Sequence, residues 1–252
     1  MASKAVDFLD VINGLTRKRV EAMRASARAP GMIKAIEQRN SEGYLALIAE
    51  YKRASPSGVI RLDIDPWTYF NAVGQYATGF SILTEPIYFL GSPIFIKIAL
   101  SYGKPILYKD FVISREQVMD ARELGASSVL LIKRLLGDSL WELADYAIKQ
   151  GLEPLIEVDN EKDALDVINT NPNVMLGINS RDLNDLSISL GRALSIIRVV
   201  RGRANIIIAE SGIKGVEDAL KLANEGANAV LVGTALMRNM NLSRELSEVR
   251  VH

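Results

Sequence analysis

Eight short runs of aliphatic residues recur along the chain, and segments with helical periodicity separate them. Each run is almost continuously apolar, which is typical of a parallel strand covered on both faces. The segments between them, such as SREQVMDARELGA and GVEDALKLANEGA, have the period of a surface helix and close at a glycine. Eight strand-and-helix units in 252 residues predict an α/β fold, the closed (β/α)8 or TIM barrel. The runs are LALIAEYK (45–52), GFSILTE (79–85), PILYKDF (105–111), SVLLIKR (128–134), EPLIEV (153–158), VMLGINS (174–180), NIIIAES (205–211) and AVLVGT (229–234).

The competing fold is the doubly wound open sheet, whose first turn carries the motif G-x-G-x-x-G. Here the first run continues into AEYKRASPSG, which lacks that motif. No linker or low-complexity tract divides the chain, so we expect one domain over 1–252. It would comprise a helical N-terminal extension (1–44), a barrel core (45–238) and a C-terminal tail (239–252). The basic run TRKRVEAMRASARAP in the extension indicates either a solvated helix face or a helical cover for one end of the barrel.

Composition excludes several classes of protein. Lysine plus arginine equals aspartate plus glutamate at 30 each, so no net charge favours nucleic acid or an acidic membrane. Cysteine is absent and the only histidine is His252, which excludes disulfides, thiolate nucleophiles and most metal sites. The first residues lack the order of a signal peptide, and no apolar run is long enough to span a bilayer. We expect a cytoplasmic protein with a small-molecule ligand and no nucleic-acid or membrane partner; a monomer is compatible with the sequence.

The polar residues of the eight runs concentrate at the carboxyl ends of the strands. In a barrel these ends lie on one face, where active sites of this fold are built. Side chains alternate along a strand, so Lys109 shares a side with Leu107, while Asp110 faces the helices. We therefore expect Lys109 at the rim of the barrel, beside carboxylates from other strands. The polar residues of these ends are Glu50, Lys52, Thr84, Glu85, Lys109, Glu157, Asn179, Arg181, Glu210, Ser211 and Thr234.

Two lysines and three glutamates around one mouth can form a general acid–base site without histidine or metal. A lysine that is partly desolvated or near a second cation has a lowered pKa, and a glutamate in an apolar setting has a raised one. Both shifts would bring the groups toward neutral pH. The alternative interpretation is a ring of ion pairs that only neutralises the barrel mouth.

The turns ESGI (210–213) and VGTALM (232–237) follow the seventh and eighth runs. The loops after these two strands frequently bind phosphate through backbone N–H groups. The alternative is a pair of ordinary turns with helix caps. The loop RASPSG (53–58) is either a flap that carries Ser55 to the ligand or a surface loop.

Two aromatic residues also allow two interpretations, whereas Asp65 and the segment KRLL are expected to be structural. Phe89 and Phe111 can flank an aromatic substrate or act as packing residues. Asp65, which precedes Pro66, is expected to cap a helix. The segment KRLL after the fourth run is expected to be a solvated turn.

Taken together, eight segments resemble the indole-3-glycerol phosphate synthase family of tryptophan biosynthesis. The likeness extends from about residue 44 to residue 238 and includes every predicted strand. It implies ring closure of 1-(2-carboxyphenylamino)-1-deoxy-D-ribulose 5-phosphate, followed by decarboxylation and dehydration to indole-3-glycerol phosphate. The resemblance implies a carboxy-lyase with no cofactor and no metal. The segments are IAEYKRASPSG, SILTEPIYFLGS, PILYKDF, LGASSVLLI, PLIEV, LGINSRDL, IAESGI and ANAVLVGTALM.

The resemblance also implies roles for individual residues. Lys109 matches the general acid that protonates the ribulose carbonyl, and Glu157 matches a catalytic carboxylate. Glu50 and Lys52 match a pair tied to proton transfer in dehydration and to holding the substrate carboxylate. Which lysine serves which proton transfer stays open. The implied substrate-binding residues are Ser55, Phe89, Phe111, Leu131, Asn179, Arg181 and Glu210, and the implied phosphate-binding residues are Ser211, Gly212, Gly233 and Thr234.

The chain departs from the family pattern at two positions. Lys133 shares a side with Leu131, so it can add charge near the aromatic pocket. Tyr108 is also unusual, but it points toward the helices. Two other functions compete with this one: that of a barrel like phosphoribosylanthranilate isomerase, which commonly uses a cysteine that this chain lacks, and that of a phosphate-binding barrel without catalysis.

Overall fold

Eight parallel strands close into a barrel in the computed structural model, which describes residues 8–24, 28–182 and 186–251. His252 lies outside the described residues. The barrel order follows the chain, and β1 pairs with both β2 and β8, so the sheet has no free edge. The predicted (β/α)8 fold is confirmed. The strands are β1 Ala46–Tyr51, β2 Gly79–Leu83, β3 Ile106–Lys109, β4 Ser128–Ile132, β5 Glu153–Val158, β6 Met175–Asn179, β7 Ile206–Glu210 and β8 Ala229–Val232.

Helices lie outside the barrel and begin and end largely where the sequence predicts. Asp65 caps its helix by accepting a hydrogen bond from the N–H of Thr68 at 3.0 Å, as expected. The helix in SREQVMDARELGA ends at Gly125, whose positive φ of 95° suits glycine. The helices are α1 Phe8–Arg24, α2 Met32–Ser41, α3 Pro66–Val73, α4 Ile94–Ala99, α5 Arg115–Leu124, α6 Lys133–Leu136, α7 Leu140–Lys149, α8 Glu161–Thr170, α9 Leu190–Val200, α10 Val216–Glu225, α11 Thr234–Arg238 and α12 Leu242–Ser247; Leu100–Tyr102 and Gly137–Ser139 form short 3-10 turns.

The segment KRLL corrects the prediction of a solvated turn. It forms the single helical turn α6, and Leu136 at its end is buried. Burial of Leu136 in the layer between barrel and helices fixes this turn, while Arg134 and Leu135 stay exposed. Strand β4 accordingly ends at Ile132.

The core has two layers, because side chains of each strand alternate between the barrel interior and the helices. Ile48, Leu107 and Leu130 belong to the interior layer. Tyr108 and Leu131 belong to the outer layer, which packs against the helices. The alternation therefore fixes which residues at the carboxyl ends point into the barrel mouth.

The helical extension covers the amino-terminal end of the barrel. Met32 and Ile36 of α2 are buried among the interior residues. The Glu153 carboxylate accepts hydrogen bonds from the N–H groups of Met32 at 2.6 Å and Ile33 at 3.2 Å, which complements the helix dipole at this end of α2. The opposite, carboxyl-terminal end of the barrel stays open. By contrast, α1 buries none of its residues, so most of the basic run is a solvated face.

The C-terminal tail returns to the first strand. The N–H of Leu45 donates to the carbonyl of Val249 at 2.8 Å, and Tyr44 forms an antiparallel bridge with Arg250. Leu246 of α12 is fully buried. A search of the described helices found none with both the length and the apolar character needed to cross a bilayer.

Candidate active site

The charged residues predicted at the strand ends converge at the open end of the barrel. The Lys109 Nζ lies 2.6 Å from Glu210 Oε2 and 3.3 Å from Glu50 Oε2. The Lys52 Nζ lies 3.3 Å from the other oxygen of Glu50. Glu157 accepts a hydrogen bond from Asn179 Nδ2 at 3.1 Å. Four strands thus supply one cluster of two cations and three carboxylates, which Glu157 joins through its charge close to Lys109.

Strand register and one glycine make this convergence possible. The pairing of β6 with β7 places Asn179 beside Glu210, and the pairing of β5 with β6 places Glu157 beside Gly177. A Cβ atom on Gly177 would lie 2.5 Å from Glu210 Oε1. Glycine at this interior position therefore leaves the space that the Glu210 carboxylate occupies. That Oε1 is buried and has no hydrogen-bond partner among the described residues.

Glu50 is held as a carboxylate. Burial alone would raise its pKa, but Lys109 and Lys52 outweigh burial and lower the pKa of Glu50 to about 2. Ser81 adds a hydrogen bond from its hydroxyl at 3.2 Å. Glu50 is therefore ionised throughout the neutral range and can accept a proton but not donate one.

Lys109 differs from the sequence-based expectation. We expected partial desolvation or a second cation to lower its pKa. Burial does act in that direction, but Glu210, Glu50 and Glu157 outweigh it and raise the pKa of Lys109 above its ordinary value. The side chain is a firmly protonated ammonium, suited to donate a proton to a strong base and not to accept one.

Glu157 follows the expectation for a glutamate out of water. Burial and the neighbouring charge of Glu210 raise its pKa to about 7, against the opposing effects of Lys109 and the Asn179 hydrogen bond. Glu157 thus changes charge close to neutral pH, as groups in proton transfer commonly do. Two carboxylates with different pKa values, Glu50 and Glu157, thus act on the same Lys109 ammonium.

A cavity of about 700 Å³ opens beside the cluster and has a mostly apolar wall. The Phe89 and Phe111 rings are 6.2 Å apart between centroids, and Lys52 Nζ lies 5.3 Å from the centre of the Phe89 ring. The Glu85 carboxylate holds the Phe89 loop by accepting hydrogen bonds from the N–H groups of Ile87, Tyr88 and Phe89 at 2.7–3.0 Å. This wall suits a flat aromatic group.

A second cavity of about 620 Å³ adjoins the cluster and is more polar. Ser211 and Gly212 have positive φ values of 65° and 72°, which turn the chain sharply after β7. Ser55 comes from a short hairpin, Ala54–Ser55 paired with Gly58–Val59, and borders both cavities. The predicted phosphate residues Ser211, Gly212, Gly233 and Thr234 all line this second cavity.

Most predicted site residues border one of the two cavities. Glu210 borders neither and reaches the site through its ion pair with Lys109. Leu131 also borders neither cavity. Its side chain is fully buried in the outer layer, against the helices. Leu130 and Ile132 of the same strand line the aromatic cavity instead. The prediction for Leu131 is corrected: the side chains of β4 that point into the barrel mouth are those of Leu130 and Ile132, and Leu131 points toward the helices.

Lys133 and Asp110 also lie apart from the charge cluster. The Lys133 Nζ pairs with Asp166 of α8 at 2.5 Å and borders neither cavity, so it adds no charge to the aromatic wall. Asp110 accepts hydrogen bonds from the Thr84 hydroxyl at 2.5 Å and the Phe111 N–H at 2.8 Å. It pairs locally, as expected, but it also borders the aromatic cavity, which corrects the expectation that it faces the helices.

Several lining residues were missed by sequence reasoning. Leu83 and Leu130 lie level with Lys109 on the neighbouring strands, so side-chain alternation could have predicted that they face the same way. The loop residues have no such periodicity from which to predict them. Among the residues missed are Leu83, Tyr88, Leu130, Ile132, Arg134, Leu135 and Leu186 in the aromatic cavity, and Ile188, Lys214, Arg238 and Asn239 in the polar cavity. Within the described ranges, no group of three histidine, cysteine or acidic side chains is arranged to hold a metal ion.

Comparison with known proteins identifies the family. A family model described as indole-3-glycerol phosphate synthase matches residues 4–249. The chain belongs to the indole-3-glycerol phosphate synthase family. The synthase of Pyrobaculum neutrophilum is 45% identical over 244 residues, 96% of each chain, and that of Pyrobaculum aerophilum is 43% identical over 248 residues, 97% of each. The resemblance carried by the eight sequence segments is confirmed.

Membership of this family gives the reaction. The enzyme is a carboxy-lyase of tryptophan biosynthesis that acts on a small phosphorylated substrate and forms indole-3-glycerol phosphate. Among solved structures, 3-hexulose-6-phosphate synthase of Salmonella typhimurium aligns with a TM-score of 0.65 at 14% identity, over 81% of this chain and 98% of that one. Tryptophan synthase of M. tuberculosis aligns with a TM-score of 0.63 at 11% identity, over 89% and 100%. These two likenesses show the barrel fold alone.

Proposed function

We propose that the charge cluster at the barrel mouth carries the chemistry of indole-3-glycerol phosphate synthesis, with Lys109 as the general acid of ring closure. The observation that carries this proposal is the position of Lys109, which borders both cavities and lies between Glu210 and Glu50. A substrate with its aromatic ring in one cavity and its phosphate in the other has its ribulose chain at the ammonium.

In ring closure, the aromatic carbon that bears the carboxylate attacks the ribulose carbonyl. The carbonyl electron pair moves to oxygen, which takes a proton from Lys109. Loss of CO2 returns the bonding pair to the ring and restores aromaticity. Solvent then reprotonates Lys109, and this matches the single proton that decarboxylation of a carboxylate consumes.

Dehydration needs a proton on the departing hydroxyl and a base for the proton on the carbon next to nitrogen. Glu157 is the base in this proposal, since its pKa of about 7 makes it ionised above neutral pH. Lys52, which pairs with the permanently ionised Glu50, is a cation close to the Phe89 wall. It is placed to bind the substrate carboxylate or to assist the departing hydroxyl.

Substrate binding divides between the two cavities. We assign the aromatic ring to the wall of Phe89 and Phe111, with Leu130 and Ile132 in place of the predicted Leu131. Asn179, Arg181 and Ser55 contact the polar middle of the substrate in this assignment, and Glu210 acts on it through Lys109. We assign the phosphate to the turns of Ser211 and Gly212 and of Gly233 and Thr234, where backbone N–H groups are available.

We also propose that 1–252 acts as a single domain in the cytoplasm and that a monomer suffices. The α2 cover shares the barrel core, which favours one domain. All the catalytic and binding residues named above come from one chain, so no second copy is needed to complete the site.

Purified protein should convert the ribulotide to indole-3-glycerol phosphate without added metal or nucleotide, because its own side chains can supply each proton transfer. The appearance of indole fluorescence in the presence of EDTA measures this. Loss of activity in EDTA that is restored by excess Mg²⁺ would contradict the mechanism. Tight substrate binding without turnover would indicate a barrel that binds but does not catalyse.

Gly212→Ala should raise KM about tenfold or more, the worth of a charge-assisted hydrogen bond to phosphate. A Cβ atom there would lie 2.7 Å from Ile188 Cγ2 and 2.9 Å from Ser180 Oγ, and φ is positive. Gly202→Ala is a matched control, because Gly202 also has a positive φ but open space around it. Steady-state kinetics of both variants, with inhibition by inorganic phosphate, test the assignment. Normal phosphate affinity in Gly212→Ala would place the phosphate elsewhere.

A further inference from the structure

Four charged side chains form a second network beside the aromatic cavity, and the mechanism above does not use them. Arg134 Nη2 donates to Asp159 Oδ1 at 2.8 Å, and its Nη1 lies 3.7 Å from Asp182 Oδ1. The Arg192 Nη1 lies 3.6 Å from the other oxygen of Asp182. The network connects the helical turn α6, the residue after β5, the loop after β6 and the first turn of α9.

The strong end of this network is the pair of Arg134 and Asp159. The Asp159 side chain is only 3% exposed, so its carboxylate depends on a nearby cation. Asn160 Nδ2 donates to the same oxygen at 3.0 Å. This pair anchors the guanidinium of Arg134, which is itself part of the cavity wall.

The other end of the network leads to Arg181. The Asp182 N–H donates to the carbonyl of Ser187, and the Leu186 N–H donates to the carbonyl of Asp182 at 2.9 Å. The Leu186 carbonyl accepts a hydrogen bond from Arg181 Nη1 at 2.9 Å. A shift of Asp182 therefore moves the carbonyl that holds the Arg181 guanidinium at the edge of both cavities.

We propose that Arg134 is a positioning residue for substrate binding: anchored on Asp159, it holds Asp182 and thereby sets the place of the Arg181 guanidinium. This inference rests on the proposed role of Arg181 in substrate binding. A guanidinium suits the task because its two Nη atoms reach two carboxylates at once. A lysine ammonium at position 134 can neutralise the buried Asp159 but cannot also contact Asp182.

Arg134→Lys should raise KM about tenfold, the range of coupling between residues in one charged network, while kcat changes less than about twofold. Asp182→Asn should have a similar effect, and the double variant should be no worse than the more affected single variant. Thermal unfolding should stay close to that of the parent, because the pair with Asp159 remains. Arg198→Lys is the matched control: Arg198 also pairs with a carboxylate, Glu225, but borders neither cavity.

Three results would overturn the proposal: an unchanged KM in Arg134→Lys, additive effects in the double variant, or a loss of kcat at constant KM. If Arg134→Lys does not fold, Arg134→Met with Asp159→Asn removes the buried charge together with its partner and should give the same rise in KM. Arg181→Lys distinguishes the proposed role of Arg181 in substrate binding from the proposed positioning role of Arg134. A normal KM in Arg181→Lys contradicts the proposed role of Arg181, whereas a raised KM there with a normal KM in Arg134→Lys contradicts only the positioning role.

Discussion

Lys109→Met should lower kcat by about two to four orders of magnitude, the usual worth of a positioned general acid. Methionine retains most of the side-chain volume but has no proton to give to the ribulose carbonyl. KM should change much less, since the aromatic wall and the phosphate turns are untouched. Steady-state kinetics, with single-turnover measurements of indole formation, separate these two quantities.

The variant leaves Glu210 and Glu50 without the cation that lies 2.6 Å and 3.3 Å away, so its folding must be checked. Lys109→Met with Glu210→Gln removes one of the unpaired carboxylates and tests whether lost stability contributes to the lost rate. Lys133→Met is the matched control, since Lys133 also pairs with a carboxylate but borders neither cavity. A near-normal kcat in Lys109→Met would transfer the acid role to Lys52.

Lys109→Arg should restore little of the activity. A lowered pKa of Lys109, as expected from the sequence, would make arginine a much weaker acid than Lys109. Because the pKa of Lys109 is raised instead, the two side chains differ less in proton affinity than the sequence suggested. The larger difference is geometric. A planar guanidinium between Glu50 and Glu210 forms directed hydrogen bonds with both carboxylates, so its protons point away from the substrate.

Glu157→Gln should lower kcat by about two to three orders of magnitude and should also change the pH profile. In the parent, kcat/KM should rise with pH through about 7, where Glu157 loses its proton and becomes the base. The variant should lack this rise. Glutamine keeps a carbonyl oxygen for the Asn179 hydrogen bond, so the local structure should survive. Glu225→Gln, on the outside of the barrel, should retain the parent profile.

The same substitution has a predicted effect on stability, with a defined sign. The pKa of Glu157 is raised from 4.5 in the unfolded chain to about 7 in the fold. Its contribution to stability is therefore fully present below pH 4.5 and is lost as pH rises through 7. The parent should lose stability over this interval and Glu157→Gln should lose less, as measured by urea unfolding at several pH values. An identical pH dependence in the two proteins would contradict the raised pKa.

The sequence by itself determined the barrel and the face that carries the site. Apolar runs of strand length, separated by amphipathic helices, leave few folds other than a closed parallel barrel. The position of Lys109 followed as well, because a charged residue that shares a side with Leu107 can only lie at the mouth. The phosphate site was predicted at the turns after β7 and β8 for a similar reason, namely the position of these turns in the barrel.

Tertiary structure decided what depends on contacts between distant parts of the chain. In β4 both faces are apolar, so alternation defined two sets of residues but not which set faces inward, and the family resemblance alone had assigned Leu131 to the aromatic pocket. The direction of the Lys109 pKa shift depends on carboxylates from β1, β5 and β7, and Glu210 lies 101 residues away in sequence. Local sequence carries the period of each strand, but electrostatic interactions act through space, so only the closed barrel brings these charges within a few ångströms of one another.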